Sequence, residues 1–595
     1  MDTICQRGVE MDGFSEACFY FIAHMKQSDP EQKKAMIAHY TELDPIDLND
    51  GAFDIEWCRS ICQKLGEKRI QVLYNASKLL CENSFHIRAR KYMDACTGKI
   101  KKEEFWRQAI EKRNKDALNA YCIAPLENEK DLLERYLYVQ QFLKESKTFG
   151  AQRQASEKRC CEIAMMNLAR NAKFNSVDRL IWNMESKIVD TYRDVLSPKM
   201  MEDVEIWIEV DELGRNDIRV RKGGKKLKSI PARLKNNEDV KRIKEANQLF
   251  HQQYQRTCEM LERAMVERTE YDCSEIEAMA NHIIAGPLIR HLVMISRDVV
   301  GFYDHDSLVF DEKREAYGDK IRIAHAFDLY QKHVWQEFQQ YLYVNQIVQP
   351  FKQVFRELYL KLEEELEHTY TKRYTGYQIQ TSQAAAVLKK RGWNVSYEYG
   401  LEKVCHKEDT VVHLAADADW FSPSDIEAPS IDYVEFSHRT LNEPLTIAEV
   451  DDVLFSEMMR DVDLAVSLAF IGGVDPITST STLELRKSII TYTCQLMKLS
   501  NVQIDGHFAH ITGKYNEYSV HLGSGVVHQK AAGMIHIVPV WSGNRGKVYL
   551  PFLDEDPLTA QIVSKIVMLS EDAKIKDPKI LGQIYKQNSK DDKII

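Results

Sequence analysis

Apolar side chains recur at three- and four-residue steps through most of the first 375 residues. The clearest run, residues 131–144, carries Leu132, Leu133, Tyr136, Leu137, Val139, Phe142 and Leu143. Residues 160–172 and 177–189 repeat this spacing, and a longer charged run of the same kind extends from residue 238 to residue 267. A period near 3.6 places such residues on one side of an α-helix. The pattern therefore predicts amphipathic helices with short polar connectors, stacked as a HEAT-like array or an irregular bundle.

Strict alternation replaces this period at one place within the helical region. Residues 204–210 (VEIWIEV) alternate apolar and acidic side chains, Gly214 follows, and residues 217–221 (DIRVR) alternate again. Two alternating runs around a glycine-containing turn are typical of a β-hairpin. The helical region is therefore expected to contain a β insertion here.

Chain-breaking residues become more frequent in the last third. Residues 1–400 contain 15 glycines and 7 prolines, whereas the shorter segment 401–595 contains 10 and 8. More turn formers favour a mixture of helices and strands. We predict an α+β multidomain protein, mostly α-helical in its first two thirds and mixed α/β beyond residue 375. The expected regions are a helical region (1–200), a β-hairpin and basic-loop insertion (201–235), a long-helix region (236–374), an α/β C-terminal domain (375–586) and a loose tail (587–595).

Short apolar runs bounded by turn residues predict the elements of the C-terminal domain. Thr446 is a suitable N-cap for one of its helices, and the apolar run 464–471 fits either a strand or a buried helix. Helices are expected at residues 382–391, 447–460, 482–499 and 559–569, and strands at residues 395–399, 411–414, 431–436, 502–504, 508–511, 517–522, 534–540 and 547–550.

Composition narrows the class of protein. Hydrophobic residues make up 44% of the chain and charged residues 29%, which allows a sizeable folded core. The net charge of −10 argues against a generally basic nucleic-acid binder, although a local basic patch is compatible with it. The 13 cysteines have no regular spacing, which favours reduced cytosolic thiols over a disulfide framework. The N-terminus lacks the pattern of a signal peptide, and no apolar segment is long enough to cross a membrane.

The first candidate site follows residue 460. Asp461 and Asp463 have the i, i+2 spacing that would point two carboxylates to one side of an extended segment, beside Arg460. Such a pair could hold Mg²⁺, as in metal-dependent phosphate chemistry. Glu484 and Arg486 would add a third carboxylate and a phosphate-binding guanidinium. The alternative is a structural Arg–Asp ion pair at a helix end.

The second candidate is the string His521-Leu522-Gly523-Ser524-Gly525, at the end of an expected strand. Gly523 and Gly525 would let the backbone approach an anion, with His521 as acid or base and Ser524 as hydrogen-bond donor. The alternative is a hairpin turn that requires glycine. The string is neither a P-loop nor a Rossmann fingerprint.

A third candidate is the basic stretch 219–233, which includes Lys222, Lys225, Lys226 and Lys228. It could contact nucleic acid or an acidic protein surface, or it could be a solvated charged loop.

A fourth candidate lies in a second long helical pattern, residues 329–373, which Pro350 should break. There, Lys352, Arg356 and Glu357 would either line a groove or accompany the packing of their apolar neighbours.

Several sequence segments between about residue 100 and residue 590 resemble the MolR-like bacterial family of unknown function (DUF4132-type proteins). The resemblance implies a cytosolic bacterial protein, and MoxR-type AAA ATPases as the partners beside which such proteins are found. It supplies no reaction and no catalytic residue. The strings that carry it include FGAQRQAS (149–156), DRLIWNME (178–185), KKLKSIP (225–231), QPFKQVFRELY (349–359), KRGW (390–393), EMMRDVDL (457–464) and VHLGSG (520–525).

Three functions therefore remain open. The first is a protein-interaction scaffold that serves a MoxR-type ATPase. The second is a phosphate- or nucleotide-processing enzyme, with Asp461, Asp463, Glu484 and His521 as catalytic candidates and Mg²⁺ as the candidate cofactor. The third is nucleic-acid binding through the basic stretch.

Overall fold

The computed structural model describes residues 13–25, 31–80, 86–396, 400–416, 429–473, 480–529, 533–535, 549–552 and 557–588. The chain forms two compact units. The first comprises residues up to Tyr192 with Val404–Val411 and Ser437–Leu445, and the second comprises Arg193–Lys403, Val412–Phe436 and the chain from Thr446 onward. The predicted α+β class, with a helical N-terminal region and sheets in the C-terminal half, is confirmed.

Helices make up nearly all of the first unit and recur throughout the second. No helix among the described residues is long and apolar enough to cross a membrane. In chain order they are α1 (Phe14–His24), α2 (Glu31–Ala38), α3 (Pro45–Asp50), α4 (Ile55–Leu80), α5 (His86–Cys96), α6 (Lys102–Lys112), α7 (Lys115–Ile123), α8 (Glu129–Ser146), α9 (Ala151–Asn171), α10 (Val177–Asp190), α11 (Glu238–Val266), α12 (Cys273–Ala280), α13 (Ala285–Arg290), α14 (Ala326–Gln331), α15 (Trp335–Val344), α16 (Thr381–Lys390), α17 (Asp452–Ala469), α18 (Thr480–Met497), α19 (Pro557–Ser570) and α20 (Pro578–Asn588).

The strands form four larger antiparallel arrangements and one short pair within the described residues. Their orders are β1-β2-β3-β4, β5-β10-β6-β7-β8-β9, β11-β16-β15-β14-β13, β12-β17 and β18-β19-β20-β21-β22. The strands are β1 (Lys199–Met201), β2 (Val204–Val210), β3 (Asn216–Lys222), β4 (Lys225–Lys226), β5 (Tyr271–Asp272), β6 (Val293–Ser296), β7 (Val299–Asp304), β8 (Ser307–Phe310), β9 (Lys313–Ala316), β10 (Lys320–Ile323), β11 (Tyr370–Thr371), β12 (Tyr377–Ile379), β13 (Asn394–Ser396), β14 (Gly400–Cys405), β15 (Thr410–Ala416), β16 (Ile431–His438), β17 (Phe470–Gly473), β18 (Val502–Asp505), β19 (Phe508–Thr512), β20 (Glu517–His521), β21 (Val527–Gln529) and β22 (Gly533–Ile535).

The helix α8 shows how the apolar period builds the first unit. The Asn128 side chain accepts a hydrogen bond from the backbone N–H of Asp131 and so caps the helix. Tyr136, Val139 and Phe142 lie on one side of α8 and are buried. They share a core cluster with apolar residues of α7, α9 and α10.

The predicted β-hairpin at residues 204–221 is confirmed, with Ile206 opposite Val220 and Ile208 opposite Ile218. Gly214 has φ +78°, and a Cβ there would lie 2.7 Å from the carbonyl oxygen of Ile284. The turn therefore requires glycine.

The helical pattern expected over residues 329–373, with a kink or break at Pro350, is wrong beyond residue 344. Helix α15 ends at Val344, and the segment after Pro350 is buried but irregular. The Gln349 side chain accepts from the backbone N–H of Val354, and Gln353 bonds the backbone of Val293 on the neighbouring strand β6. Side-chain amides here satisfy backbone groups that helical hydrogen bonds would otherwise satisfy.

The sheet β5–β10 was missed by the sequence prediction. Its strands are short, and β9 is exposed along its whole length, so neither an apolar run nor clear alternation marks it. Within this sheet, His305 and Asp306 form the β7–β8 turn after Asp304, with His305 at φ +54°.

The helix expected at residues 447–460 begins later and ends later. The Thr446 hydroxyl, expected to cap the helix, donates to the Glu449 carboxylate instead. The backbone N–H groups of Val453 and Leu454 donate to the Asp451 side chain at 3.0 Å each. Asp451 is therefore the capping residue of α17. Most of the ambiguous apolar run 464–471 is helical, and the chain enters β17 at Phe470.

Most other C-terminal elements agree with expectation. Helices α16, α18 and α19 and strands β15, β16 and β18–β20 lie where the pattern places them. Of the strand predicted at 395–399, residues 397–399 lie outside the described residues, as do residues 536–540 of the strand predicted at 534–540 and residues 547–548 of the strand predicted at 547–550. Residues 549–550 of the last one are described and are not in a strand. Residues 589–595 of the predicted tail also lie outside the described residues.

Candidate functional site

The sheet β18–β22 presents histidine side chains on one face. Strand β19 alternates Phe508 and His510 with residues that are buried on the other side of the sheet. Its register places Phe508 opposite His521 and His510 opposite Ser519, and Ser519 in turn lies opposite His528. These five residues, Phe508, His510, Ser519, His521 and His528, form what we call the histidine face.

The imidazole rings surround the Phe508 ring. Ring centroids lie 5.0 Å apart for Phe508 and His521, 6.1 Å for Phe508 and His510, and 6.4 Å for Phe508 and His528. His507, in the β18–β19 turn, adds a ring 6.3 Å from that of His521. The histidine face and the adjoining His507 thus bring four imidazoles together on the C-terminal sheet.

The second sequence candidate, His521–Gly525, is the turn between β20 and β21. The Ser524 hydroxyl lies 2.9 Å from His521 Nδ1, and the Ser524 backbone N–H donates to the same nitrogen at 3.1 Å. Because Nδ1 accepts from the backbone, the neutral ring carries its proton on Nε2. Gly525 has φ +69°, and its N–H donates to the carbonyl of His521. The geometry is that of a glycine-dependent hairpin turn that also joins His521 to Ser524.

The pKa of His521 lies below its ordinary value. Burial is the main cause, and the positive charges of His507, His528 and Arg486 add to it. His521 is therefore a neutral imidazole at pH 7, able to accept or donate a hydrogen bond.

Arg486 lies beneath this turn. Its guanidinium is buried and donates to the carbonyl oxygens of Leu522 and Gly523 and to the hydroxyl of Thr559. The side chain that was expected to bind phosphate therefore holds the turn by its backbone.

The carboxylate expected beside Arg486 points elsewhere. Glu484 is exposed and pairs with Lys487 at 2.6 Å. Residues two apart on a helix lie on different sides of it, which separates Glu484 from Arg486.

The expectation that Asp461 and Asp463 point to one side is wrong because both lie in α17. Successive residues of an α-helix turn by about 100°, so an i, i+2 pair diverges by about 200°. Asp463 accepts from the Tyr359 hydroxyl at 2.8 Å and lies 3.4 Å from the Thr482 hydroxyl. Within the described residues, no group of three or more His, Cys, Asp or Glu side chains could hold a metal ion.

Asp461 is almost wholly buried and has three donors. It accepts from Trp393 Nε1 at 2.9 Å, from Lys403 Nζ at 3.0 Å and from the Arg391 guanidinium. Burial alone would raise the pKa of this carboxyl, but Lys403 and Arg391 hold it below its ordinary value.

One turn earlier on α17, Glu457 receives a two-pronged ion pair. Arg356 Nε and Nη2 donate to its two oxygens at 2.7 Å each, and His325 Nε2 donates at 3.0 Å. Arg356 also donates to Glu262 of α11 at 2.9 Å. Burial would raise the pKa of Glu457, but the Arg356 charge and the hydrogen bonds hold it well below its ordinary range. Burial lowers the pKa of His325, so that ring is neutral.

Arg460 completes this set. Its Nε donates to Glu357 at 2.9 Å, and Lys352 Nζ donates to the other Glu357 oxygen at 2.7 Å. Lys352, Arg356 and Glu357, which were expected to line a groove or to accompany packing, thus lie inside the second unit. We call these buried and partly buried charged residues the ion cluster: Glu262, Lys352, Arg356, Glu357, Arg391, Lys403, Glu457, Arg460 and Asp461.

The basic stretch forms β3, β4 and the segment that follows. Several of its cations have acidic neighbours: Arg219 pairs with Glu209, Lys222 with Asp203, and Arg233 with Glu202. Lys225, Lys226 and Lys228 are exposed around the Gly223-Gly224 turn.

The sequence analysis missed His507, His510, His528 and Phe508 as neighbours of His521. The available signal was the strand period, because His510 and Phe508 share a face and the expected strands 508–511 and 517–522 are adjacent. The ion-pair partners of Glu457, Arg460 and Asp461, by contrast, lie 58 to 198 positions away along the chain and had no local signal.

Comparison with known families divides the chain into three segments. Residues 2–184 match the model of a family of unknown function (DUF5724), residues 224–393 that of a domain of unknown function (DUF4132), and residues 483–584 that of a domain of unknown function (DUF7737). The DUF4132 match is thus narrower than the span of about 100–590 expected from the strings. No curated protein matches the chain, and no solved structure matches it. The first unit is accordingly similar to DUF5724, most of the partners of α17 lie in the segment similar to DUF4132, and the histidine face lies in the segment similar to DUF7737.

Proposed function

We propose that this protein is a scaffold that binds another protein through its N-terminal helical unit, and that the partner is a MoxR-type AAA ATPase. One observation carries the docking surface: Trp106 and Ile110 of α6 are each 45% exposed. The resemblance of the sequence to the MolR-like family supplies the identity of the partner.

The geometry of α6 explains why these side chains face outward. Phe105 and Ala109 fill the core, so Trp106 and Ile110, each one residue further along, form a second row on the adjoining side of the helix. Glu103 is exposed on the same side of the helix. An aromatic anchor with an aliphatic neighbour and a charged rim is typical of a protein-interaction hot spot. We call Trp106 and Ile110 the α6 surface.

The test is a binding titration of the full-length chain with a purified MoxR-type AAA ATPase, in the presence of Mg²⁺ and ATP. Wild-type protein should bind. Trp106→Ala should weaken binding at least tenfold, which corresponds to about 1.4 kcal/mol, because truncating a central aromatic anchor commonly costs more than that.

Val72→Ala is the matched control. Val72 is an apolar residue of α4 in the same unit and is 67% exposed, but it lies outside the α6 surface. Its truncation should change the affinity less than twofold. Absence of binding by wild-type protein, or an equal loss in the two variants, would contradict the proposal.

The histidine face supports a second candidate function, the binding of a phosphate-bearing ligand. The His521–Ser524 contact of 2.9 Å sets a ring nitrogen and a hydroxyl side by side at a turn. His507 and His528 lie close by, and together with Arg486 they place positive charge beside the His521 ring. Phosphate would then receive charge-assisted hydrogen bonds.

This candidate is tested by NMR of histidine-labelled protein titrated with inorganic phosphate at pH 6, with chloride at matched ionic strength as reference. The ring signals of His521 and His528 should shift with phosphate. His251, an exposed histidine on α11, should not. Equal shifts of all three signals, or none, would exclude a phosphate site at this face.

A further inference from the structure

Three cysteines of the first unit meet between two packed helices. Cys58 and Cys62 lie four residues apart on α4, and Cys96 ends α5, which packs against α4. All three belong to one hydrophobic cluster, Cys58 and Cys96 as buried members and Cys62 at its half-buried edge. We call these residues the thiol trio.

Cys58 is the middle member of the thiol trio. Its thiol interacts with those of Cys62 and Cys96, and both of these neighbours raise its pKa. Residues four apart in an α-helix have Cα atoms about 6 Å apart, which lies within the range that a disulfide spans. Their Cβ atoms, however, lie about 5–6 Å apart, beyond the roughly 3.5–4.5 Å of a disulfide, so joining the two sulfurs requires a local adjustment of the backbone.

The backbone beside the trio provides room for that adjustment. Helix α4 is interrupted at Gly66, which has φ +70° and ψ +167°, one turn after Cys62. No atom lies within 4 Å of the position that a Cβ would occupy there. The turn that carries Cys62 is thus bounded by a break in the helix and open space.

We propose that Cys62 is a site of oxidation by hydrogen peroxide and that Cys58 captures the oxidised sulfur as a disulfide. In the first step the Cys62 thiolate attacks one peroxide oxygen, the O–O bond breaks, and Cys62 becomes a sulfenic acid as hydroxide leaves. In the second step the Cys58 sulfur attacks the Cys62 sulfur, an S–S bond forms, and the sulfenic oxygen leaves as water with the Cys58 proton. Overall two thiols and one peroxide give one disulfide and two waters, and peroxide is the two-electron oxidant.

The surroundings favour Cys62 as the attacking group. The neighbouring Cys58 thiol lowers the pKa of the Cys62 thiol. The Cys62 and Cys96 thiols, together with burial, raise the pKa of the Cys58 thiol well above its ordinary value. We favour oxidation over metal binding at the thiol trio, because no group of three or more His, Cys, Asp or Glu side chains among the described residues could hold a metal ion.

Cys494 of α18 provides a matched comparison. It is half-buried like Cys62, but burial raises its pKa to about 11. The two cysteines therefore differ in thiolate content far more than in exposure.

The experiment treats the reduced full-length protein with about one equivalent of hydrogen peroxide per chain at pH 7. Trypsin cleaves after Arg59, between the two cysteines, so a Cys58–Cys62 disulfide joins two separate peptides and mass spectrometry detects it directly. Cys62→Ser should abolish the linked peptides. Cys58→Ser should leave Cys62 as a sulfenic acid that dimedone traps, and Cys494→Ser should change nothing.

Iodoacetamide labelling of unoxidised protein supplies a readout that needs no variant. At pH 7 Cys62 should be alkylated at least tenfold faster than Cys494. Equal rates, a peroxide-induced disulfide at another pair, or no dimedone adduct in Cys58→Ser would overturn the proposal.

Discussion

The second unit of this protein buries charged residues, and the first unit exposes large apolar residues. In the second unit, the ion cluster holds charged side chains in the interior, with Arg356 and Glu457 almost completely shielded from solvent. In the first unit, α6 exposes Trp106 and Ile110, side chains that usually lie in a core.

The difference lies in where the partners are. Every carboxylate of the ion cluster accepts hydrogen bonds or ion pairs from side chains of the same unit, as Asp461 does from Arg391, Trp393 and Lys403. Pairing within the unit accounts for the burial of these charges, so no ligand is needed to explain it. An exposed aromatic anchor becomes buried only when another molecule covers it, and for that reason we propose the docking function for the first unit.

The largest effect is expected from breaking the ion cluster. Arg356→Met removes the charge but keeps much of the volume, and it leaves Glu457 buried without its main partner. The free energy of unfolding at pH 7 should fall by about 3–5 kcal/mol, as measured by urea denaturation.

Lys241→Met is the control for charge removal. Lys241 forms an exposed i, i+3 pair with Glu238 at 2.7 Å. Its loss should cost about 0.5 kcal/mol or less. Similar losses of unfolding free energy in both variants would mean that a buried ion pair of the cluster contributes no more to stability than an exposed pair does.

The pH dependence of stability sharpens the same comparison. The pKa values of Glu357, Glu457 and Asp461 are lower in the folded protein than in the unfolded chain, because neighbouring cations outweigh the opposing effect of burial. Their contribution is complete above the unfolded value, near pH 4.3, and is lost as the pH falls through the folded values.

Wild-type protein should therefore lose stability as the pH drops from about 5 to 3. The deficit of Arg356→Met should shrink over that interval, because protonation of Glu457 removes the unpaired charge. Parallel curves for the two proteins, from urea unfolding at each pH, would contradict this assignment.

A smaller effect is expected at the turn that carries His521. Gly525→Ala forces a left-handed backbone on alanine and brings a Cβ to 3.1 Å from Ile562 Cγ1. Stability should fall by about 1–2 kcal/mol, and the His521 ring signal should move because its contact with Ser524 is disturbed.

Gly582→Ala is the matched control. Gly582 lies within α20 and has nothing within 4 Å of the added methyl group, so alanine should stabilise by about 0.5–1 kcal/mol. Destabilisation by both substitutions would show that the loss in Gly525→Ala does not come from the left-handed geometry of the turn.

Local patterns predicted the elements whose causes are local. The period of residues 131–144 and the alternation of residues 204–221 were sufficient, since an amphipathic helix and a hairpin depend on neighbours in sequence. The same reasoning failed at residues 351–359. There Phe351, Phe355 and Leu358 have helix-like spacing, but the side-chain amides of Gln349 and Gln353 hold an irregular backbone, and Gln353 does so through a strand about 60 residues away.

The candidate site shows the same limit. His521 and Ser524 are three residues apart and could be singled out together. The geometry of Asp461 and Asp463 depended on whether the apolar run after residue 463 continued the helix, which apolarity alone does not decide. The partners of Asp461, at positions 391, 393 and 403, are set by tertiary packing and leave no trace in spacing.

A further modest effect on stability is expected from the α6 surface itself. Trp106 is 45% exposed, so about half of its surface is buried, and Trp106→Ala should lower the free energy of unfolding by about 1–2 kcal/mol. A loss of 3 kcal/mol or more would identify Trp106 as a core residue and remove the reason for proposing a docking surface.

The most direct test compares binding of the MoxR-type ATPase by Trp106→Ala and by Val72→Ala, both in the full-length chain and both confirmed as folded. A loss of affinity of at least tenfold for Trp106→Ala, with less than a twofold change for Val72→Ala, is the predicted result. Wild-type protein that fails to bind the ATPase, or two variants that bind it equally well, would contradict the scaffold function.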